Sequence, residues 1–440
     1  MRRYDSYKNS GQQWLGEIPS HWNMKRLRLL LIENTCNDFN EHTNILLQFK
    51  YGEIVRKPNQ YESIEEATAI GNYIKVAPQD IMINGLNLNY DFISQRVAQV
   101  KEAGIITAAY ISLRPTVLAD SKYYTYLLKS MDAKKMFHGM GRGIRLTLSY
   151  NELKNHFIPY PPKNEQNIIV AYLDKTTSEI DKAIAQQQRM IDLLNERKQI
   201  IIQQAVTKGL NPNVKVKDSG QQWLGKIPSH WECRPIKQFK SKCKNAFVDG
   251  PFGSNLKSEH FIDNGEVFVV ESGTITSGVF KHSKLTKTIS LKHFQTICRS
   301  ECKEDDVIIA KIGANYGMAG ILPNLSKRAV VSGNSLKITL DHTKIENQYF
   351  VYLMQVAKMM GGFKDMVSET AQPALSLGGL NNMYFPLPNL GEQKNILEYI
   401  DTNICPIQTI IQNCEKLIER LKERKQIIIN EAVTGKIKVV

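Results

Sequence analysis

Almost every recognisable segment of this chain occurs twice. Gly11 to Trp22 reads GQQWLGEIPSHW and Gly220 to Trp231 reads GQQWLGKIPSHW, the single difference being Glu17 against Lys226. Further on, Glu165-Gln166 opens a stretch that ends in ERKQIII (Glu196 to Ile202). Glu392-Gln393 opens another with the same ending (Glu423 to Ile429). The first pair of motifs is 209 residues apart and the second 227, so the second copy carries eighteen more residues between matched ends. A period this long excludes a solenoid of short stacked repeats. It predicts two related domains in tandem, with a pseudo-twofold relation between them.

At 440 residues the chain is long enough for two domains with real cores. No apolar run approaches a membrane span, and the start, MRRYDSYKNS, has no apolar signal region. Seven scattered cysteines fit a reducing, cytoplasmic setting better than a disulfide framework. Cys298 and Cys302 near His293 lack the second pair that a structural metal site needs. Charge is unevenly placed: residues 1–157 and 210–384 carry net charges of +5 and +7, whereas 158–209 and 385–440 carry +1 each. Positive charge concentrated on the two globular stretches suits a polyanion.

The helical stretches are the clearest. Ile180, Ile184, Ile191, Leu194, Ile201 and Ala205 fall on a and d positions of a heptad, as do Ile407, Ile411, Cys414, Ile418, Leu421, Ile428 and Ala432. Lys198 and Lys425 recur as polar d positions, and Gln187 interrupts an a position. This is a coiled-coil seam of about four heptads. Prolines at 159, 161, 162, 386 and 388 bar helix upstream, and Gly209 with Pro212, then Gly435, close the two helices. A helix over 165–206 is roughly 60 Å long. The eleven-step link from Gly209 to Gly220 reaches at most about 35–40 Å, so the two helices are expected to run antiparallel.

The globular stretches align with drift. Asp80-Ile-Met-Ile matches Asp306-Val-Ile-Ile, and Asn89-Tyr90 matches Asn315-Tyr316. Gly104 to Leu113 matches Ala329 to Ile338, and Tyr123 to Leu128 matches Tyr349 to Met354. The β-branched runs predict strands, the tyrosine-rich runs a helix packed on them. Ser149 and Ser376 are positioned to cap short helices ahead of the long ones. The expected fold class is α+β: two α/β domains (1–157 and 210–384) separated by two long antiparallel coiled-coil helices (158–209 and 385–440).

No catalytic signature stands out. A phosphate-cradling GxxxxGK[ST] is absent, and Gly139-Met-Gly141-Arg-Gly143 does not open a βαβ unit. Pro159-Tyr-Pro-Pro162 only scrambles the Asn-Pro-Pro-Tyr of amino-methyltransferases. Asp305, Asp306 and Lys311 could mimic a nuclease set, but a turn leading into a strand accounts for them. Polar reach is richer. In the first stretch Asn87, Asn89, Tyr90, Arg96, Arg142 and Arg145 are candidate DNA contacts. In the second, the loop Asp249-Gly-Pro-Phe-Gly-Ser-Asn-Leu-Lys257 offers Ser254, Asn255 and Lys257. Lys311, Asn315, Tyr316, Lys327, Arg328, Asn334 and Gln372 extend that set. Asn reads adenine, Arg and Lys read guanine, and serine holds phosphates. Trp14, Trp22, Trp223 and Trp231 are nearly invariant between copies, so they are assigned to structure or a partner surface, not to discrimination. Ile200, Ile202, Ile427 and Ile429 flank the seam residues Ile201 and Ile428, too wide for one seam, and are candidate partner contacts.

The GxxWLGxIPxHW openings, the PxP-x-x-x-EQ entries and the ERKQ-III-x-x-AVTxG endings resemble the specificity subunit of type I restriction-modification systems over the whole chain. The first stretch departs in lacking the DGPFGS loop. The resemblance implies a non-catalytic subunit in which each variable domain (1–157 and 210–384) is a target recognition domain that reads half of a bipartite, asymmetric site on double-stranded DNA. It also implies that the helices set the spacing and dock two methyltransferase subunits, with separate restriction and translocase subunits in the full complex. No cofactor is expected on this chain; S-adenosylmethionine, ATP and Mg would belong to partner subunits, and no membrane is expected as a partner. Two other readings stay open: a DNA methyltransferase or nuclease with an unrecognised site, and a coiled-coil adaptor for proteins alone.

Overall fold

The computed structural model describes residues 2–37, 45–58, 73–144, 146–251, 253–276, 278–367 and 373–439. They form two compact units, Met1–Arg189 with Cys414–Val440, and Met190–Asn413. The long helices, Lys163–Lys208 and Leu390–Val433, are each shared between the units.

The same antiparallel sheet lies at the centre of each unit. In the first unit its strands are β1 (Leu31–Glu33), β2 (Ile81–Ile83), β3 (Val97–Gln99) and β4 (Ile111–Pro115), in the order β1-β4-β2-β3. In the second they are β5 (Phe247–Asp249), β6 (Val307–Ala310), β7 (Ala319–Ile321) and β8 (Ser335–Ile338), ordered β5-β8-β6-β7. Even the register is shared: Leu113 pairs with Ile81 as Ile338 pairs with Val307. Asp80 and Asp306, just ahead of β2 and β6, are buried where their carboxylates take the amides of Ala77 and Lys303 and close equivalent turns. Asp80 is neutralised by Arg114 at 2.8 Å and Asp306 by Lys337 at 3.1 Å. A turn and an ion pair therefore occupy Asp306, as the turn-and-strand reading expects.

Onto each sheet packs a tyrosine-rich helix, Ser121–Ala133 or Asn347–Met359. Both duplicated motifs then explain one another. Gln166 is fully buried; its Oε1 accepts the Asp120 amide (2.8 Å) and its Nε2 donates to the carbonyls of Leu118 (3.2 Å) and Pro161 (3.0 Å). Gln393 repeats this with the Glu346 amide and the carbonyls of Lys344 and Pro388, each at 2.9 Å. A glutamine is needed because one amide side chain can satisfy an acceptor role and two donor roles at once, and buried backbone groups left unpaired are costly. The neighbouring Glu165 and Glu392 pair with His21 (2.8 Å) and His230 (3.0 Å) of the IPSHW motifs. The EQ pair thus pins the start of each long helix to its own globule.

The other end of each helix is pinned as well. Ala205 and Val206 share a core with Ile227 and Trp231, and Tyr349 Oη donates to the Val206 carbonyl at 3.2 Å. In the first unit Ala432 and Val433 share a core with Ile18 and Trp22, and Tyr123 Oη donates to the Val433 carbonyl at 2.8 Å. Gly209 and Gly435 end the helices at φ +70° and +72°, where a Cβ would come within 3.2 Å of Trp231 and 3.0 Å of Trp22. Left-handed backbone and lack of room together call for glycine.

Within each unit the paired helix segments run antiparallel. Lys425 meets Asp181 at 2.7 Å in the first unit, and Lys198 donates to Gln408 at 2.7 Å in the second. Asp181 and Gln408 are equivalent positions, as are Lys198 and Lys425, so both polar d positions reach the same place on the opposing segment. Every a and d residue named above is at least half-buried. One feature runs against local propensity: Pro406 lies inside the second helix, which continues through it. The strand segments Phe157–Tyr160 and Tyr384–Leu387 take up the proline-rich entries, pairing with Asn23–Arg26 and Glu232–Pro235. Ser149 and Ser376 cap the short helices that precede them.

Candidate nucleic-acid interface

In the first unit the loop between β2 and β3 carries Asn87, Asn89 and Tyr90. Asn87 sits at φ 51° and accepts the Tyr90 amide; in the second unit Gly313 (φ 86°) accepts the Tyr316 amide in the same way. After that shared turn the loops diverge. Ile83 and Val97 are paired across thirteen residues (84–96), whereas Ile309 and Ala319 are paired across nine (310–318). The extra residues hold Phe92 and Ile93, which are 55% and 95% exposed, beside Tyr90 at 78%.

Arg96 is what holds this longer loop. The sequence suggests a DNA contact, but the side chain is only 1% exposed. Its guanidinium donates to the carbonyls of Asn84 (3.1 Å), Leu86 (2.8 Å) and Asp91 (2.7 Å). Burying a cation of this kind is costly unless it is hydrogen-bonded, and here Nη1 and Nη2 are both spent on the loop itself while Nε has no partner. Asp91 accepts the amides of Ile93 (3.0 Å) and Ser94 (2.9 Å). Hydrogen bonds from Ser94, hydroxyl and amide, hold its carboxyl down at about 2. Phe92 stacks on His138 with centroids 4.6 Å apart.

Facing the loop, a tight hairpin closes between Arg142 and Thr147 and presents Ile144, 96% exposed. Asn89 Nδ2 donates to the Ile144 carbonyl at 3.3 Å, tying loop to hairpin. Arg142 is exposed, with Glu152 3.6 Å from its Nε. Asn87, Asn89, Tyr90 and Arg142 are thus brought together; Arg145 lies outside the described residues.

In the second unit the polar cluster forms at the end of β5. Asp249 receives Lys311 Nζ at 3.5 Å and Arg299 at 3.6 Å, and its carbonyl accepts the Ser300 hydroxyl. The Lys311 amide bonds the Asn334 carbonyl at 2.9 Å. Lys311 itself is mostly buried, so it braces the loop bases and does not reach outward as the sequence suggests. Asn255, Lys257, Asn315 and Asn334 are exposed, while Tyr316 is half-buried under Lys358, whose Nζ lies 4.9 Å from the ring centroid. Arg328 opens a strand of a different sheet, Arg328–Val331, and Lys327 lies just ahead of it. Lys327 Nζ donates to the Gly265 carbonyl, and Arg328 pairs with Glu301 at 3.0 Å across the Phe294 ring, so both are engaged away from the cluster. Gln372 and the Ser254 side chain lie outside what is described. Sequence reasoning missed Arg299, Phe92, Ile93 and Ile144.

Among the described residues no group of three or more His, Cys, Asp or Glu side chains could hold a metal ion. Burial pushes the Cys302 thiol up, far from a thiolate ligand, while Cys298 is exposed. No described helix is long and apolar enough to cross a membrane.

The chain is 25% identical over 83% of its length to the type I restriction enzyme MjaVIII specificity subunit of Methanocaldococcus jannaschii, covering 83% of that protein. It is 24% identical over 97% of its length to the putative MjaX specificity subunit of the same organism, covering 96% of it. Among solved structures, a chain from work on complex assembly and conformational transition of the type I R-M system superposes with a TM-score of 0.70 at 13% identity. That match covers 96% of this chain and 99% of that one, a likeness of fold. Residues 98–188 and 251–420 match the family described as type I restriction modification DNA specificity domain. With more than half of its length so matched, and with two copies of one sheet carrying different polar loops, the chain belongs to the type I restriction-modification DNA specificity family.

Proposed function

We propose that each unit reads one half of a bipartite, asymmetric site on double-stranded DNA, and that the chain performs no chemistry itself. The observation that carries this is the contrast between the units. Their central sheets, the registers in them and the helix pins are the same, whereas the loops after β2 and β6 differ in length and in exposed side chains, and the stretches after β1 and β5 differ in length and in the strands they carry. Shared parts cannot distinguish two sequences; differing exposed loops can. Exchanging 24–157 or 233–384 for the matching block of a relative should therefore change one half of the methylated motif and leave the other intact. Single-molecule methylation mapping reads this directly, and a change in both halves would refute the modular reading.

Partner subunits supply the catalysis in this reading: two methyltransferase subunits with S-adenosylmethionine, joined by ATP- and Mg-dependent restriction subunits. The equivalence of the two helix ends favours two copies of one partner. Of the four isoleucines expected to face that partner, Ile202 and Ile429 are instead buried in the cores of the second and first unit, where the helix ends dock. Ile200 and Ile427 remain 37% and 47% exposed. Ile200→Asp combined with Ile427→Asp is expected to leave the chain folded and to weaken its assembly with methyltransferase subunits. Sedimentation of the mixture tests it; an intact two-to-one complex would remove these side chains from the interface.

A further inference from the structure

The first unit exposes apolar side chains on backbone that is tied down. Ile93 and Ile144 are 95% and 96% exposed, at the tips of two segments that meet through the Asn89 to Ile144 hydrogen bond. A slack loop would fold such residues inward. Here Arg96, Asp91 and the stacked pair of Phe92 and His138 prevent it. Exposed apolar groups held by a rigid frame mark a contact surface, and this one adjoins Asn87, Tyr90 and the exposed cation of Arg142. The second unit has no counterpart of Ile93, because its loop is shorter at that point.

We infer that Ile93 and Ile144 read thymine in the half-site of the first unit, by contact with its C5-methyl group in the major groove. The inference rests on the DNA-reading function proposed above. An isoleucine offers no hydrogen bond, so the one feature of a major-groove base edge it can recognise is that methyl. Its neighbours supply the complementary contacts, asparagine for adenine and arginine for guanine or phosphate. Arg96 is then a positioning residue: it sets the loop from beneath without touching DNA.

Replacing thymine by uracil removes the methyl and nothing else. With the full chain assembled with its methyltransferase subunits, on duplexes carrying the mapped target, each thymine is replaced in turn. At one or more thymines of the half-site assigned to the first unit by block exchange, binding should weaken about fourfold, the value of one buried methyl. The Ile93→Ala, Ile144→Ala variant, altered only at exposed positions, should bind thymine and uracil duplexes alike while keeping its response to the other half-site. The inference is overturned if uracil is tolerated throughout that half-site, if the half-site contains no thymine, or if the variant keeps the fourfold difference. A 2-aminopurine signal that rises with the natural chain and not with the variant, on a uracil-tolerant site, would instead make these residues an unstacking wedge. Absence of any sequence-specific binding by the assembled complex would refute the DNA-reading function itself, a different failure from the loss of methyl sensitivity.

Discussion

Trp231→Ala should destabilise the second unit by about 3–5 kcal/mol, the range for deleting a fully buried tryptophan from a packed core. Trp231 is completely enclosed, between the end of one long helix at Ala205 and Val206 and the base of its own globule. Its indole N–H has no hydrogen-bond partner, so the loss is one of packing. The ring also lies against Gly209, which means the helix end loses its seat together with the core. Trp22→Ala should do the same to the first unit, where Ala432, Val433 and Gly435 stand in the equivalent places. Because two compact units need not unfold in one step, chemical denaturation followed by hydrogen exchange is the suitable measurement. Protection should collapse first in the unit that carries the substitution. Equal loss in both units, or a cost below about 1 kcal/mol, would mean that the tryptophans are not the seats of the helix ends.

Adding one heptad to the helices should widen the gap between the two halves of the methylated motif by about three base pairs. Seven helical residues add about 10.5 Å, close to three steps of B-DNA. The insertion has to be made twice, within 182–197 and within 409–424. Each helix is pinned at its start by Gln166 or Gln393 and at its end by Trp231 or Trp22, so it has no free end to absorb the change. A heptad in one helix alone would pull Lys425 from Asp181 or Lys198 from Gln408 and strain the pins, and loss of folding or assembly is expected. The matched insertion keeps the seam in phase, because seven residues advance an α-helix by nearly two whole turns. Methylation mapping is again the readout. An unchanged gap in a folded, active double insertion would show that the helices do not set the distance.

Much of this fold was legible in advance because its motifs are duplicated. Heptad spacing located the seam, and the order of β-branched runs located β2, β4, β6 and β8. The meaning of the EQ and HW motifs was not legible. Gln166 and Glu165 act on Leu118, Asp120 and His21, contacts that depend on tertiary placement and leave no local periodicity. Pro406 escaped notice for the converse reason: tertiary packing overrides the break that it would impose on an isolated helix. At the interface, residue type alone could not separate Arg142, exposed, from Arg96, buried beneath a loop, or Lys257 from Lys311. The extra length of the first loop was concealed by a compensating difference. From Val97 to Gly104 the first unit is shorter than the second is from Ala319 to Ala329, so the offset between copies returns almost to its earlier value and the insertion carrying Phe92 and Ile93 vanishes from a simple alignment.

The way the chain is shared out has a consequence for its synthesis. The second unit is one uninterrupted stretch, Met190–Asn413, while the first joins Met1–Arg189 to Cys414–Val440. Arg2 and Lys438 even bond to each other, the Lys438 amide donating to the Arg2 carbonyl at 2.9 Å. Domains generally fold as units, earliest-made first, as they leave the ribosome. Here that order is inverted. The globule translated first must wait with the groove around Trp22 open, until Ile428, Ile429, Ala432 and Val433, which follow the whole of the second unit, have been made to fill it. The unit translated second already holds everything it needs. A chain interrupted between Asn413 and Ile428 would therefore hold a complete second unit beside a first unit whose core is still open.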